Sequence, residues 1–99
     1  MKYKLNTTFE IWDFNNPEKE LPKDLQRAIE ELNIFQFIYF FTHIYDFDGY
    51  VSYPAGTQET MGGDEVFVFN IYRDTEEFDK FMAGEGDEPD GWEVAISQH

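Results

Sequence analysis

The longest apolar segment of the chain is Ile34–Phe41, where both alternating sets of side chains are apolar and only Gln36 interrupts them. A strand that is covered on both faces gives such a continuous run. Aromatic and β-branched residues also favour the extended state. We therefore predict a strand buried on both sides. The alternative is a helix that continues from Pro22 through this segment, because the period of a short apolar run fits either structure. The sequence therefore predicts that Ile34–Tyr45 is a strand and leaves open that it is part of a long helix.

Alternation of apolar and polar residues predicts further strands, and Gly, Pro, Asp and Asn mark their ends. Glu65–Tyr72 carries apolar residues on both sides, and Trp92, Val94 and Ile96 alternate near the C-terminus. The other predicted elements are a half-buried strand at Tyr3–Asp13, a turn at Asp46–Gly49, a segment at Tyr50–Tyr53 that pairs back or continues outward, and a loop at Pro54–Asp64.

Two segments have helical spacing of apolar residues. The first begins at Pro22, which suits a first helical position, and is closed by Asn33. The second begins with Asp74 as N-cap and Glu77 three residues later, and Gly84 ends it. The residues predicted to face the core are Leu25, Ala28, Ile29 and Leu32 in the first helix and Phe78, Phe81 and Met82 in the second.

The order βαββαβ within 99 residues predicts one α+β domain spanning residues 1–99. We expect a two-layer sandwich of the ferredoxin-like kind, with an antiparallel sheet and two helices on one face. In that topology the second strand lies at an edge of the sheet, yet here it is the most apolar strand. A homodimer that buries this strand is therefore predicted, and salt should strengthen it by screening the repulsion between two acidic chains.

Charge is distributed unevenly along the chain, which carries 7 basic and 21 acidic residues and a formal net charge of −14. Residues 1–27 contain equal numbers of basic and acidic side chains, so the excess of negative charge lies in residues 28–99. That part has sixteen carboxylates and only two basic residues, Arg73 and Lys80. Such a field disfavours direct binding to nucleic acid or to an anionic membrane surface. No apolar run is long enough to span a membrane, and the segment Met1–Trp12 lacks the apolar region that a secretory signal contains. A cytoplasmic protein is expected.

Catalytic and metal-binding residues are sparse. Cysteine is absent, which excludes thiolate chemistry and disulfides. His43 lies near Asp46 and Asp48, but a zinc site needs three or more protein ligands. The simpler interpretation is a histidine beside a turn. We predict neither a metal nor another cofactor, and no enzymatic activity.

The acidic excess predicts a protein that binds a basic partner. Duplex DNA presents one negative charge per ~1.7 Å of its axis, and carboxylates on a small rigid domain can present a comparable array to a nucleic-acid-binding protein. The hypothesis is a DNA mimic that inhibits such a protein in a host cell, of the kind carried by phages and mobile elements. The candidate partner-binding residues are Glu30, Glu31, Asp46, Asp48, Asp74, Glu76, Asp79, Glu85, Asp87, Glu88 and Asp90.

The run from Trp12-Asp13 through PEKELPKDLQRAIEEL to HIYDFDGY resembles the N-terminal part of ArdA-type antirestriction proteins, in which a Trp-Asp strand precedes a Pro-Glu helix and an acidic, aromatic turn. Those proteins are acidic DNA mimics, so the resemblance implies the same kind of activity. It covers less than half of the chain and does not extend past Tyr53.

Two alternatives stay open. A small ferredoxin-like dimer could enclose and transform an apolar ligand, with Tyr39, His43, Tyr45 and Trp92 as its polar groups. An immunity protein that neutralises a basic toxin would have the same acidic surface as a DNA mimic.

Overall fold

The computed structural model describes residues 3–4 and 9–98. Its elements in chain order are β1 (Tyr3–Lys4), β2 (Phe9–Asp13), α1 (Lys23–Glu30), α2 (Ile34–Thr42), β3 (Tyr45–Phe47), β4 (Tyr50–Glu59), β5 (Glu65–Arg73), α3 (Glu76–Met82) and β6 (Gly91–Gln98). In this part of the chain the strands form one sheet in the order β1-β2-β6-β5-β4-β3, with every neighbouring pair antiparallel. The α+β class and the antiparallel sheet are therefore confirmed.

The prediction of a strand at Ile34–Phe41 is wrong, because this segment is the helix α2. Asn33 begins α2 with a capping box: its side chain accepts a hydrogen bond from the Gln36 backbone N–H, and the Gln36 side chain accepts one from the Asn33 N–H, both at 2.9 Å. The helical alternative was nearer, but Asn33 separates two helices instead of closing one. Intrinsic strand preference is a weak prior, and tertiary packing overrides it here.

The inner face of α2 packs against the sheet. Phe37, Phe40 and Phe41 recur at helical spacing, and Phe40 is fully buried with its ring centroid 4.4 Å from that of Phe69 on β5. The Phe41 ring lies 5.0 Å from that of Phe67 on the same strand. Side chains alternate between the faces of a strand, so Phe67 and Phe69 place α2 on the odd-numbered face of β5.

The third helix lies on the opposite face of the sheet. In α3, Phe78 contacts Tyr72 of β5 and Tyr53 of β4, and residue 72 has the opposite parity to residue 69. The two predicted helices correspond to α1 and α3 and lie on opposite faces of the sheet, whereas α1 shares its face with α2. The ferredoxin-like order is not confirmed either, because a third helix is present and β6 lies between β2 and β5.

The main hydrophobic core lies between the sheet and α1–α2 and includes the predicted Leu25, Ala28 and Ile29. A smaller cluster on the other face joins Trp12, Val66, Val68 and Ala95, with Phe14 packed against it. Both faces of the central strands are thus covered, which explains why β5 reads as apolar on both sides.

Three predicted boundaries and one predicted core residue need correction. Tyr3–Asp13 is not one strand, since β1 pairs with β2. The loop predicted at Pro54–Asp64 is mostly strand, because a bulge between Pro54 and Thr57 lets β4 continue to Glu59. The N-cap of α3 is Thr75 instead of Asp74, and Met82 is exposed. The end of α3 at Gly84 is confirmed, and so is the turn at Asp48-Gly49, although Asp46 and Phe47 of the predicted turn belong to β3. Of the two alternatives for Tyr50–Tyr53, the structure shows pairing back, with Tyr50–Ser52 on β3.

Two substitutions distinguish the helix from the predicted strand. Residues 38 and 40 share a face in a strand but lie on different faces of α2. We expect Phe40→Ala to lower the free energy of unfolding by about 3–5 kcal/mol, because Phe40 is in the core. Ile38→Ala should cost less than about 1 kcal/mol, because Ile38 is 56% exposed. Urea unfolding of dilute protein measures both, and equal losses would contradict a helix.

Candidate acidic interface

The acidic residues at one end of the sheet form the most highly charged surface of the described chain. We call this surface the acidic end; it comprises the β3–β4 turn, α3 and the loop that follows α3. Its carboxylates are exposed and belong to Asp46, Asp48, Asp74, Glu76, Glu77, Asp79, Glu85, Asp87, Glu88 and Asp90.

Backbone hydrogen bonds join the parts of the acidic end. The N–H of Asp74 donates to the carbonyl of Gly49 at 2.8 Å, so the β3–β4 turn lies against the segment that leads into α3. The N–H of Glu85 donates to the carbonyl of Lys80 at 2.8 Å, which joins the acidic loop to the last turn of α3. These bonds bring together carboxylates that are far apart in sequence.

Tyr72 attaches the acidic loop to the sheet. Its hydroxyl donates a hydrogen bond to Glu88 Oε1 at 2.5 Å. Its ring lies directly over Gly91 on the neighbouring strand, where a Cβ atom would come within 2.7 Å of the ring. Only glycine permits so close an approach. Burial, followed by the hydrogen bond to Glu88, raises the pKa of Tyr72 to about 12.

Tyr53 links Asp46 to the same aromatic group. Its ring lies 6.3 Å from that of Tyr72 and 6.0 Å from that of Phe78. Its pKa is raised by burial and, to a lesser extent, by the charge of Asp46. Asp46 and Glu88 therefore lie beside the same aromatic cluster, which packs between the sheet and the acidic end. The cluster consists of Tyr53, Tyr72, Phe78 and Phe81.

The two basic residues that follow residue 27 each lie against a carboxylate. Arg73 forms an ion pair with Asp24 at 3.3 Å, and its guanidinium lies over the rings of Tyr50 and Trp92, 5.1 and 5.5 Å from their centroids. Lys80 is 3.7 Å from Glu76. Each of these bases therefore offsets a single carboxylate, and residues 28–99 keep a large excess of negative charge.

Asp24 receives a second hydrogen bond from the buried Tyr50 hydroxyl at 2.7 Å. This bond, with Arg73 adding to it, lowers the pKa of Asp24. Burial and the bond to Asp24 raise the pKa of Tyr50 to about 12. This network connects α1 to the sheet and stabilises the fold. The sequence did not predict it, although Arg73 is one of the two basic residues that follow residue 27.

The structure separates the eleven predicted partner-binding residues into two places. Nine belong to the acidic end. Glu30 and Glu31 lie at the end of α1, on the other face of the sheet, beside the start of α2. The prediction did not include Glu77, which completes the run of carboxylates on α3.

The residues proposed for an apolar-ligand site do not converge. Tyr39 and His43 contact each other at the end of α2 with their rings tilted by 48°, Tyr45 stacks on Phe47, and Trp92 contacts Tyr50 and Arg73. A cleft of ≈ 810 Å³ formed by the described residues has none of these four in its lining. It lies beside the second hydrophobic cluster, and Glu10, Glu59, Asp64 and Glu65 line it together with Trp12 and Phe14.

Within the described residues, no group of three or more His, Asp or Glu side chains is arranged to hold a metal ion. Over the same residues, no helix is long and apolar enough to cross a membrane. His43 lies next to Thr42, whose hydroxyl is 2.7 Å from its Nδ1.

Comparison with known proteins gives no relative. No protein-family model, no curated protein and no solved structure matches this chain.

The Tyr72–Glu88 contact makes a prediction about proton binding. Glu88→Gln removes the charge but keeps an oxygen that can accept the hydrogen bond. We expect the pKa of Tyr72 to fall from about 12 but to stay above the ordinary value of about 10, because burial is the larger cause of the shift. Carbon-13 NMR of the tyrosine rings during an alkaline titration measures this value. Glu85→Gln is the matched control, and a Tyr72 pKa unaffected by Glu88→Gln would show that the loop does not dock there.

Proposed function

We propose that the protein is a non-enzymatic acidic interaction protein that binds a basic, nucleic-acid-binding protein in place of DNA. The observation that carries the proposal is the acidic end: ten exposed carboxylates on a supported surface, with Lys80 engaged by one of them. A basic protein would be attracted to this surface and oriented by it, as charge complementarity steers association.

The number of charges is of the right order for mimicry. The longest dimension of the molecule is 40 Å, and a duplex of that length carries about 24 phosphate charges on its two strands. The chain has 21 carboxylates. Ten of these carboxylates lie on the acidic end, and a folded domain can present them to a groove built for a duplex without bending or melting.

The support beneath the charges also favours a binding surface over a merely solubilising one. The hydrogen bond from Tyr72 to Glu88 and the bond from Asp74 to Gly49 fix two parts of the acidic end to the sheet. Fixed charges lose less conformational freedom when they bind than charges on an unattached loop.

The first experiment asks whether the partner is a DNA-binding protein. The immobilised protein is incubated with lysate of its own host cells at low salt, with and without an excess of duplex DNA, and captured proteins are identified. We expect a basic nucleic-acid-binding protein that duplex DNA displaces and that high salt releases. Capture of a basic partner that DNA does not displace would favour an immunity protein. Failure to capture any basic nucleic-acid-binding protein at low salt would contradict the proposal.

The second experiment locates the contact. Replacing Glu85, Asp87, Glu88 and Asp90 with Gln or Asn removes four negative charges from the acidic end. We expect the fold to persist, because removing like charges relieves repulsion, and the affinity for the captured partner to fall at least about tenfold, a loss of roughly 1.4 kcal/mol.

The matched control removes the same number of charges elsewhere, by changing Glu18, Glu20, Glu30 and Glu31 to Gln; all four are exposed. Both variants have the same net charge, so a general field effect would weaken both equally. An equal loss in the two variants would show that the acidic end is not the contact surface. A greater loss in the control would move the contact to the end of α1.

A further inference from the structure

The outer face of α2 is an exposed apolar surface. Ile34, Phe35, Ile38 and Tyr39 are 72%, 74%, 56% and 53% exposed, and Ile44, just beyond the helix, is 63% exposed. On a helix, residues that are three or four positions apart adjoin. Ile38 therefore adjoins both Ile34 and Phe35, and Tyr39 adjoins Phe35, so the four helical side chains form one continuous patch. We call it the α2 outer face.

A helix that is apolar on all sides is characteristic of a buried helix. The inner residues Phe37, Phe40 and Phe41 already pack on the sheet. The outer residues gain nothing from the fold of a single chain, and a patch of this kind on a soluble domain marks an interaction surface.

The chemistry of the α2 outer face identifies its occupant. Ile34–Thr42 contains no acidic or basic residue, so nothing within the patch attracts a cationic partner, unlike the acidic end. Its complement is another uncharged apolar surface, and the same helix on a second copy is such a surface. About a two-fold axis each residue meets its own counterparts, so the surface needs only to match itself.

The exposed area is sufficient for such a contact. An aromatic side chain contributes about 150–250 Å² when wholly buried, and applying that range to these five partly exposed residues gives at most about 500–800 Å² of surface on each copy. Two copies would then bury at most about 1,000–1,600 Å² in total, which reaches the range for specific interfaces.

We propose that a second copy of this chain covers the α2 outer face, giving a two-fold symmetric dimer with the two α2 helices in contact. The dimer contact is made by α2, which lies on the opposite face of the sheet from α3 and the acidic end. The proposal therefore does not rest on the proposed function. The two associations respond to salt in opposite directions: screening weakens the attraction to a basic partner and relieves the repulsion between two chains of −14.

Sedimentation equilibrium tests the dimer directly, over protein concentrations from about 10 to about 500 µM and in salt from about 0.05 to about 0.5 M. We expect a shift from the 11.8 kDa monomer toward twice that mass, with an association constant at least about tenfold higher at the higher salt. A monomer at every concentration and salt would overturn the proposal and leave the surface to a different partner.

The double variant Phe35→Gln/Ile38→Gln tests the location without changing the charge. Glutamine has good helix propensity and both sites are exposed, so the fold should persist by circular dichroism. We expect the association constant to fall at least about tenfold, because apolar contacts are lost on both copies. Met82→Gln, at an exposed apolar position on α3, is the matched control and should not change it. Undiminished association of the double variant would overturn the proposal.

A cross-linking experiment gives an answer even if the double variant does not fold. The chain has no cysteine, so Ile38→Cys introduces a single thiol at the middle of the α2 outer face. A short bismaleimide should join two Ile38→Cys chains efficiently at high salt, and Met82→Cys chains much less. Equal cross-linking of the two variants would contradict contact through α2.

Discussion

The packing of the α2 inner face on the sheet is the interaction on which the rest of the structure depends. Phe40 is fully buried against Phe69, and Phe41 lies against Phe67, so β5 fixes the rotation of the helix about its axis. Once that rotation is fixed, the outer residues of α2 must face away from the sheet. The exposed apolar surface is therefore a direct consequence of how the core is filled.

The same sheet separates two surfaces of different chemistry. The helix α2 lies on the odd-numbered face of β5, whereas Tyr72 and α3 lie on the other face and carry the acidic loop through Glu88. The separation of the α2 outer face from the acidic end matters because repulsion between like charges would oppose an apolar contact between two copies if the acidic end lay inside that contact. With the acidic end elsewhere, the two proposed associations can occur on one molecule without competing for the same residues.

The sequence predicts the elements whose pattern matches their environment. The strands at Glu65–Arg73 and Gly91–Gln98 and the turn at Asp48-Gly49 follow from alternation and turn chemistry. The helix at Ile34–Thr42 does not, because a helix that is apolar on both sides has no helical period and resembles a strand buried on both sides. The signal that could have identified it is local: Asn33 followed by Gln36 is a capping pair.

The candidate interface was predictable as a set of residues but not as an arrangement. Exposure of the acidic residues follows from their charge, since unpaired carboxylates are rarely buried. Nothing in the order of the chain shows that Asp46 and Glu88 meet around the same tyrosines, or that Glu30 and Glu31 lie apart from them. Those relations come from strand pairing between distant segments, in particular Tyr72 beside both Val51 and Gly91.

The conformation of Ile34–Thr42 in solution is the most direct test, because the filling of the main core and the α2 outer face both require this segment to be a helix packed on the sheet. Backbone NMR assignment of dilute protein gives the carbon chemical shifts of each residue from Asn33 to His43. The structure predicts helical shifts throughout Ile34–Thr42, a break at Asn33 and through-space contacts between the rings of Phe40 and Phe69. Extended shifts across these residues, with cross-strand contacts to a neighbouring strand, would contradict it.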